Sequence, residues 1–272
     1  MGFRDGKNKW APIAKEHVEF CEQDDFMWSN IEKSRQTAFA LADLDYEKTR
    51  DSLLSNLTLD DSKETEHLVV PIGVEDAVSM LAKDGGDIAI LCFADFVKLG
   101  GLFIEGSHAQ EECICHFSGM YSILDKFNES YYQPNMHLKN RGQYAHSFGV
   151  MENVPWMWDG EKGVMKVVYA AAPNFISAYR YGIPSNSPIT LDTMKQAMLE
   201  RQELAYLFAA SLGVKVFVAG AWGCGVFKNK PEDVAKGWKI CSEKYPGLFD
   251  AVIHPIPGVR TANYAVFKDV LG

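Results

Sequence analysis

Two adjacent carboxylates, Glu111 and Glu112, follow a glycine pair, Gly100-Gly101, across one short loop, with Gln110 directly before them. Carboxylates that share a buried site raise one another's affinity for a proton, which is how a side chain becomes able to donate one near neutral pH. Glycines let backbone N–H groups come close to an anion, and a helix N-terminus adds a favourable dipole. The combination predicts a loop that grips a phosphate and carries its own acid/base group. A second glycine cluster lies further along, Gly220-Ala221-Trp222-Gly223-Cys224-Gly225-Val226-Phe227, ahead of a helix opened by Pro231. It suits a backbone cradle for a diphosphate, and equally a tight strand-to-helix turn that needs positive φ. No Lys-Ser/Thr follows it, so it is not a P-loop, and its spacing is not that of the dinucleotide fingerprint. Phe227 is placed to stack on a sugar or a base.

Other reactive groups are weaker candidates. There is no Gly-x-Ser-x-Gly, which removes the usual serine-nucleophile signal. His108 and His116 flank the acid pair and are secondary acid/base candidates. Cys113-x-Cys115-His116 invites a metal reading, but residues two apart on a helix point in different directions, so the two thiols are not expected to share an ion. No metal and no cofactor is expected. The six cysteines are scattered among apolar residues and read as reduced, buried thiols.

These groups need a scaffold, and its signs run through most of the chain. Strands are predicted over 67–72, 88–93, 145–150, 165–171, 215–219 and 249–254. Helices are predicted over 74–83, stopped by Asp84-Gly85-Gly86, over 113–124 and 191–212, from Pro231, and over 261–270. This alternation implies a three-layer α/β domain with a mostly parallel sheet over residues 67–272. Ligands in such sheets bind beyond the carboxyl ends of strands, where both glycine loops emerge. Residues 1–66 read as a helical arm without a strand, closed by the polar stretch 57–66. The segment 126–163 is turn-rich, notably at 130–135 and 139–143, and is a candidate cover for the cleft.

Composition narrows the partners. The chain has 272 residues, 47% of them hydrophobic, a net charge of −9 and a pI near 5.3, enough for a core and short of the basic face that general nucleic-acid binding needs. No apolar run reaches membrane-spanning length, and Met1 to Lys7 is polar, so a cytoplasmic protein is expected.

Gly100-Gly101 followed by Gln110-Glu111-Glu112 resembles the signature of poly(ADP-ribose) glycohydrolases, a glycine run followed by Gln-Glu-Glu. The loop from Gly220 to Phe227 resembles the second diphosphate loop of the microbial type of that family, and the Ala171-Ala172-Pro173-Asn174 turn fits it as well. The resemblance covers about residues 67–272. It implies a macrodomain-like α/β/α fold with a mixed, mostly parallel sheet and an N-terminal helical extension, and ADP-ribose as the ligand. It makes Glu112 the catalytic carboxylate and Glu111 the neighbour that orients the substrate ribose. Gly100 and Gly101 become the first loop, Gly223, Cys224, Gly225 and Val226 backbone donors to the diphosphate, and Phe227 the aromatic on the distal ribose. The sequence departs from the family at Cys92 (asparagine), Leu99 (proline) and Leu102 (a third glycine), losing a polar contact near the ribose and adding a side chain to the first loop. The implied reaction is general acid/base hydrolysis of O-glycosidic ribose linkages in poly(ADP-ribose) or O-linked ADP-ribose, with Glu112 expected to have a raised pKa. Two alternatives remain: a non-catalytic macrodomain that holds ADP-ribose or a NAD-derived signal, and a hydrolase of ADP-ribose linked to a modified base or arginine.

Overall fold

Ile88–Phe93 (β3) is apolar at every position, and it lies at the centre of a seven-stranded sheet. The computed structural model describes residues 3–82, 85–137, 142–143, 145–183 and 185–272, with side chains from residue 9 onward. The other strands are β1 (Phe39–Leu41), β2 (Glu66–Val70), β4 (Phe148–Trp158), β5 (Glu161–Ala170), β6 (Val216–Val218) and β7 (Ala251–Pro255), in the spatial order β1-β4-β5-β3-β6-β7-β2. β5, β3, β6, β7 and β2 run parallel, β4 is antiparallel to both its neighbours, and the sheet is therefore mixed and mostly parallel.

Strand side chains alternate between two cores, as the two-residue repeat requires. Ile90, Cys92, Val167 and Tyr169 join one core with α1 (Phe3–Gln23), α2 (Asp25–Thr37), α4 (Val74–Ala82) and α5 (Gln110–Phe117). Leu91, Val168, Ala170 and Phe217 join the other with α3 (Tyr46–Leu54), α8 (Leu191–Ser211), α9 (Pro231–Lys244) and α10 (Ala262–Leu271). That is the three-layer α/β/α arrangement expected from the alternation.

Several predicted elements change length or kind. The helix predicted over 113–124 starts at Gln110 and ends at Phe117, because Ser118 bridges to Trp156 and the Gly119 N–H donates to Pro155. Residues 128–132 form a π-helical turn leading into α6 (Gln133–His137), with Tyr131 and Tyr132 buried, where turns were expected. The arm carries one strand after all: β1 pairs with β4 and extends the sheet. Lys83 and Asp84, at the predicted helix stop, and 139–141, in a predicted turn, lie outside the described residues.

The arm is fastened to the rest at several points. Arg35 forms a bidentate ion pair with Asp125 and also donates to Ser122 O at 2.7 Å. A His17 ring nitrogen lies 3.0 Å from Ser118 O. The Trp10 ring stacks on His108 at 4.5 Å.

Candidate active site

A cleft of about 650 Å³ opens at the carboxyl ends of β3, β6 and β7. Its floor is the start of α5. Gln110 fixes that start: its carboxamide oxygen accepts the Phe93 N–H at 2.8 Å and its NH₂ donates to Leu91 O at 2.8 Å. Gln110 thus lines the cleft while its polar atoms continue the hydrogen bonding of β3.

Glu111 and Glu112 follow in the first turn of α5, where their charge meets the positive end of the helix dipole. Both are nearly buried, at 3% and 6% exposure, yet both face the cleft. Glu112 Oε1 accepts the Leu102 N–H and Oε2 the Ala109 N–H, each at 3.0 Å. Glu111 Oε2 accepts the Asp95 N–H at 2.8 Å, and Oε1 accepts the hydroxyl of Tyr169. Burial pushes the Glu111 carboxyl well above the usual range; the Tyr169 hydrogen bond opposes this, and the charges of Asp95 and Glu112 add to it.

The first glycine loop exists to let these contacts form. Gly100 and Gly101 both have positive φ, 64° and 62°. A Cβ on Gly101 would stand 2.5 Å from Glu112 Oε1, so only glycine leaves the carboxylate in place. Gly100 instead makes room for an aromatic ring. A Cβ there would meet the Tyr121 ring at 2.7 Å, and Gly100 is not part of the cleft wall. Leu102 keeps a negative φ, which is why a leucine is accepted there, and its side chain lines the cleft. Leu99 packs against the first core. Cys92 is fully buried beneath Glu111 and does not reach the cleft.

The second loop forms the opposite wall. Gly220 and Gly223 have φ of 68° and 73°, so the tight-turn reading of this loop holds alongside its place in the cleft. Gly223, Gly225, Val226 and Phe227 line the cleft, with Val226 67% exposed at its mouth. The N–H groups of Gly225 and Val226 have no acceptor among the described residues. Cys224 departs from the expected role. Its N–H donates to Ala221 O at 3.1 Å and its thiol is buried, so it is a turn residue and not a donor to the cleft.

Asn229 was not singled out from sequence, yet it holds this loop in place. Buried, it donates to Pro173 O at 2.8 Å and to Gly223 O at 3.2 Å, joining the second loop to the turn after β5. Trp238 Nε1 donates to Gly220 O at 3.1 Å from behind. Asp95 is the other missed residue; it lines the cleft, and its carboxylate accepts the N–H groups of Val97 and Lys98. The signal for both was an acid or amide beside a glycine loop, which is too common to select on.

The flanking residues separate. His108 and Cys113 reach the rim, with Cys113 Sγ 3.7 Å from His108 Nδ1. His116 is packed between Trp10 and Phe103, and burial lowers it to about 4. Cys115 is buried in the core while Cys113 faces the cleft, so the two thiols diverge. The segment 126–163 contributes no described residue to the cleft wall, against its expected role as a cover.

A search among curated proteins found no similar one. Among solved structures, the poly(ADP-ribose) glycohydrolase of Thermomonospora curvata superposes with a TM-score of 0.83 at 23% identity, over 97% of this chain and 99% of that one. The same enzyme bound to the inhibitor ADP-HPD gives 0.79 at 23% identity, over 96% and 99%. The poly(ADP-ribose) glycohydrolase of Deinococcus radiodurans in complex with ADP-ribose gives 0.77 at 25% identity, over 89% and 96%. The family model described as the catalytic domain of microbial-type PARG matches residues 14–153, just over half of the chain, and that span contains β3, the first glycine loop and the acid pair. The chain belongs to the microbial-type poly(ADP-ribose) glycohydrolase family, with its macrodomain-like fold.

Proposed function

We propose that the protein hydrolyses the O-glycosidic ribose linkages of poly(ADP-ribose) or O-linked ADP-ribose, with Glu112 as the general acid/base. The observation that carries this is the placement of Glu112: nearly buried, in the cleft, with each oxygen fixed by a backbone N–H, and across from a glycine loop whose Gly225 and Val226 N–H groups have no acceptor among the described residues. The relatives solved with ADP-ribose and with ADP-HPD support the ligand class.

The steps follow from the chemistry of a glycoside. Glu112 gives its proton to the bridging oxygen as the C1–O bond breaks, and the ribose carbon develops oxocarbenium character. The leaving alcohol departs neutral. Water then attacks that carbon, and its proton returns to the Glu112 carboxylate. Glu111 accepts a hydrogen bond from a ribose hydroxyl and so holds the sugar over Glu112. The N–H groups of Gly225 and Val226 bind the diphosphate, and Phe227 packs on the distal ribose. Fixing the diphosphate and ribose converts part of the barrier into binding that is already in place.

The assay is turnover of poly(ADP-ribose) and of a peptide carrying serine-linked ADP-ribose, with calorimetric titration of free ADP-ribose. Release of ADP-ribose from either substrate is expected. Binding of ADP-ribose with no turnover of any linkage would instead leave a non-catalytic macrodomain.

A further inference from the structure

Behind Glu111 the structure holds a chain of hydroxyls that the proposed chemistry does not call for. Tyr169, on β5 and fully buried, donates its O–H to Glu111 Oε1. Its oxygen lies 2.7 Å from the hydroxyl of Tyr132, itself 2% exposed. The direction of the chain is fixed by its end. Tyr169 has a single hydroxyl proton and gives it to Glu111 Oε1, so Tyr132 must donate to Tyr169. Hydrogen bonds in such a row polarise one another and strengthen the bond at the charged end.

The rings alone satisfy the packing. Phe127 and Tyr131 surround Tyr169 at centroid distances of 5.8 and 5.4 Å, and a phenylalanine would fill the same space. The two hydroxyls have no described use other than the row that ends on Glu111. Together with the Asp95 N–H on Oε2, they fix both oxygens of a carboxylate that water does not surround.

We infer that Tyr169, backed by Tyr132, is a positioning residue that orients Glu111 and favours the carboxylate form that receives the substrate's ribose hydroxyl. The inference rests on the proposed function for the identity of the ligand, and on the hydrogen-bond geometry for the hold of the tyrosines on Glu111. Every element around Glu111 adds a group that bears on its charge. Asp95 follows β3, Cys92 lies within it, Glu112 and Cys115 share α5, and Tyr131 and Tyr132 come from the helical turn. Arg201, on α8, acts on Tyr131. The acids oppose ionisation, as burial does, and the Tyr169 hydroxyl is the group that most favours it.

The test compares wild type, Tyr169→Phe and Tyr132→Phe in two readouts. Carboxyl-labelled glutamate followed by carbon NMR in the ligand-free protein gives the titration of Glu111. Calorimetry against pH gives the affinity for ADP-ribose. Removing a donor to the charged form raises the pH at which Glu111 loses its proton. The Glu111 titration and the acidic limb of ADP-ribose binding should therefore both move upward in Tyr169→Phe, and move less, in the same direction, in Tyr132→Phe. An unmoved titration, or an affinity lowered by one factor at all pH values, overturns the inference. If Tyr169→Phe does not fold, Tyr132→Phe decides alone. A wild type that never binds ADP-ribose counts against the proposed function, while the ligand-free titration still decides on the tyrosines.

Discussion

A carboxylate becomes useful through the few atoms that fix it, and for Glu112 those are the N–H groups of Leu102 and Ala109 and the bare Cα of Gly101. Substituting Gly101→Ala forces a methyl group to within 2.5 Å of Glu112 Oε1 at a φ of +62°. The expected result is a fall in kcat of roughly 10²-fold, as misplacement of a catalytic group by about 1 Å produces, with the fold intact by circular dichroism. Turnover within a few-fold of wild type would mean that Glu112 is not held where the chemistry occurs. At this scale the sequence was informative where chemistry follows adjacency. Glu111, Glu112 and Gly101 are neighbours along the chain, and so are Gly223, Gly225, Val226 and Phe227. It was silent where contacts depend on sheet register. Tyr169 reaches Glu111 because β5 lies beside β3 with Tyr169 opposite Cys92, which no local pattern encodes. Cys224 shows the converse: the family resemblance implied a ligand donor, and its N–H is taken up within the turn by Ala221 O.

At the scale of elements, the two glycine loops matter only because other elements tie them together. Asn229 joins the second loop to the turn after β5 through Pro173 and Gly223. Asn229→Ala takes the side-chain donor from Pro173 O and one of two donors from Gly223 O, which keeps the Asn229 N–H. Leaving a buried carbonyl unpaired costs about 1–3 kcal/mol. Thermal unfolding should show that loss, and affinity for ADP-ribose should fall with it, because the loop that carries the free N–H groups loses its brace. A variant that melts earlier but binds as wild type would detach Asn229 from the site. Gly223→Ala is expected to be more severe. Its Cβ would stand 2.4 Å from Asn229 Nδ2 and 2.6 Å from the Ala172 Cβ at a φ of +73°. Loss of ADP-ribose binding by calorimetry is the outcome to look for. The strand and helix order was legible because β3 and the second half of β5 are mostly apolar runs of strand length. The missed elements are those that periodicity cannot mark. β1 has three residues, the π-helical turn before α6 has no repeat of its own, and α5 ends early because Ser118 and Gly119 engage β4.

Over the whole molecule, the sheet carries one more constraint on the cleft, a pair of histidines behind the second loop, His254 buried and His67 half-buried. His67 Nδ1 and His254 Nε2 are 3.0 Å apart, and the other nitrogen of His67 meets Ser242 Oγ at 2.9 Å. Burial lowers His67 to about 4, with Lys239 adding to the effect, and lowers His254 to about 3, with His67 adding to it. Both are thus neutral in the fold and take up protons near the ordinary histidine value, about 6.5, when unfolded. The stability they contribute is complete above that pH and is lost as pH falls from about 6.5 towards 4 and 3. Denaturant midpoints measured from about pH 7.5 to about pH 4.5 should fall across that window, and His67→Gln should flatten the slope; an equally steep slope in the variant would remove the pair from the explanation. The arm, β1 and the sheet together form the fold shared with the solved poly(ADP-ribose) glycohydrolases over nearly the full chain. In the proposed mechanism, what distinguishes a hydrolase from a binder of the same fold is whether Glu112 transfers a proton. The direct measurement is single-turnover release of ADP-ribose from an O-linked substrate by wild type and by Glu112→Gln, with ADP-ribose affinity measured on both. Loss of about 10²-fold or more in rate at near-equal affinity is predicted, the size expected for a general acid/base. Equal rates in the two proteins would contradict the account.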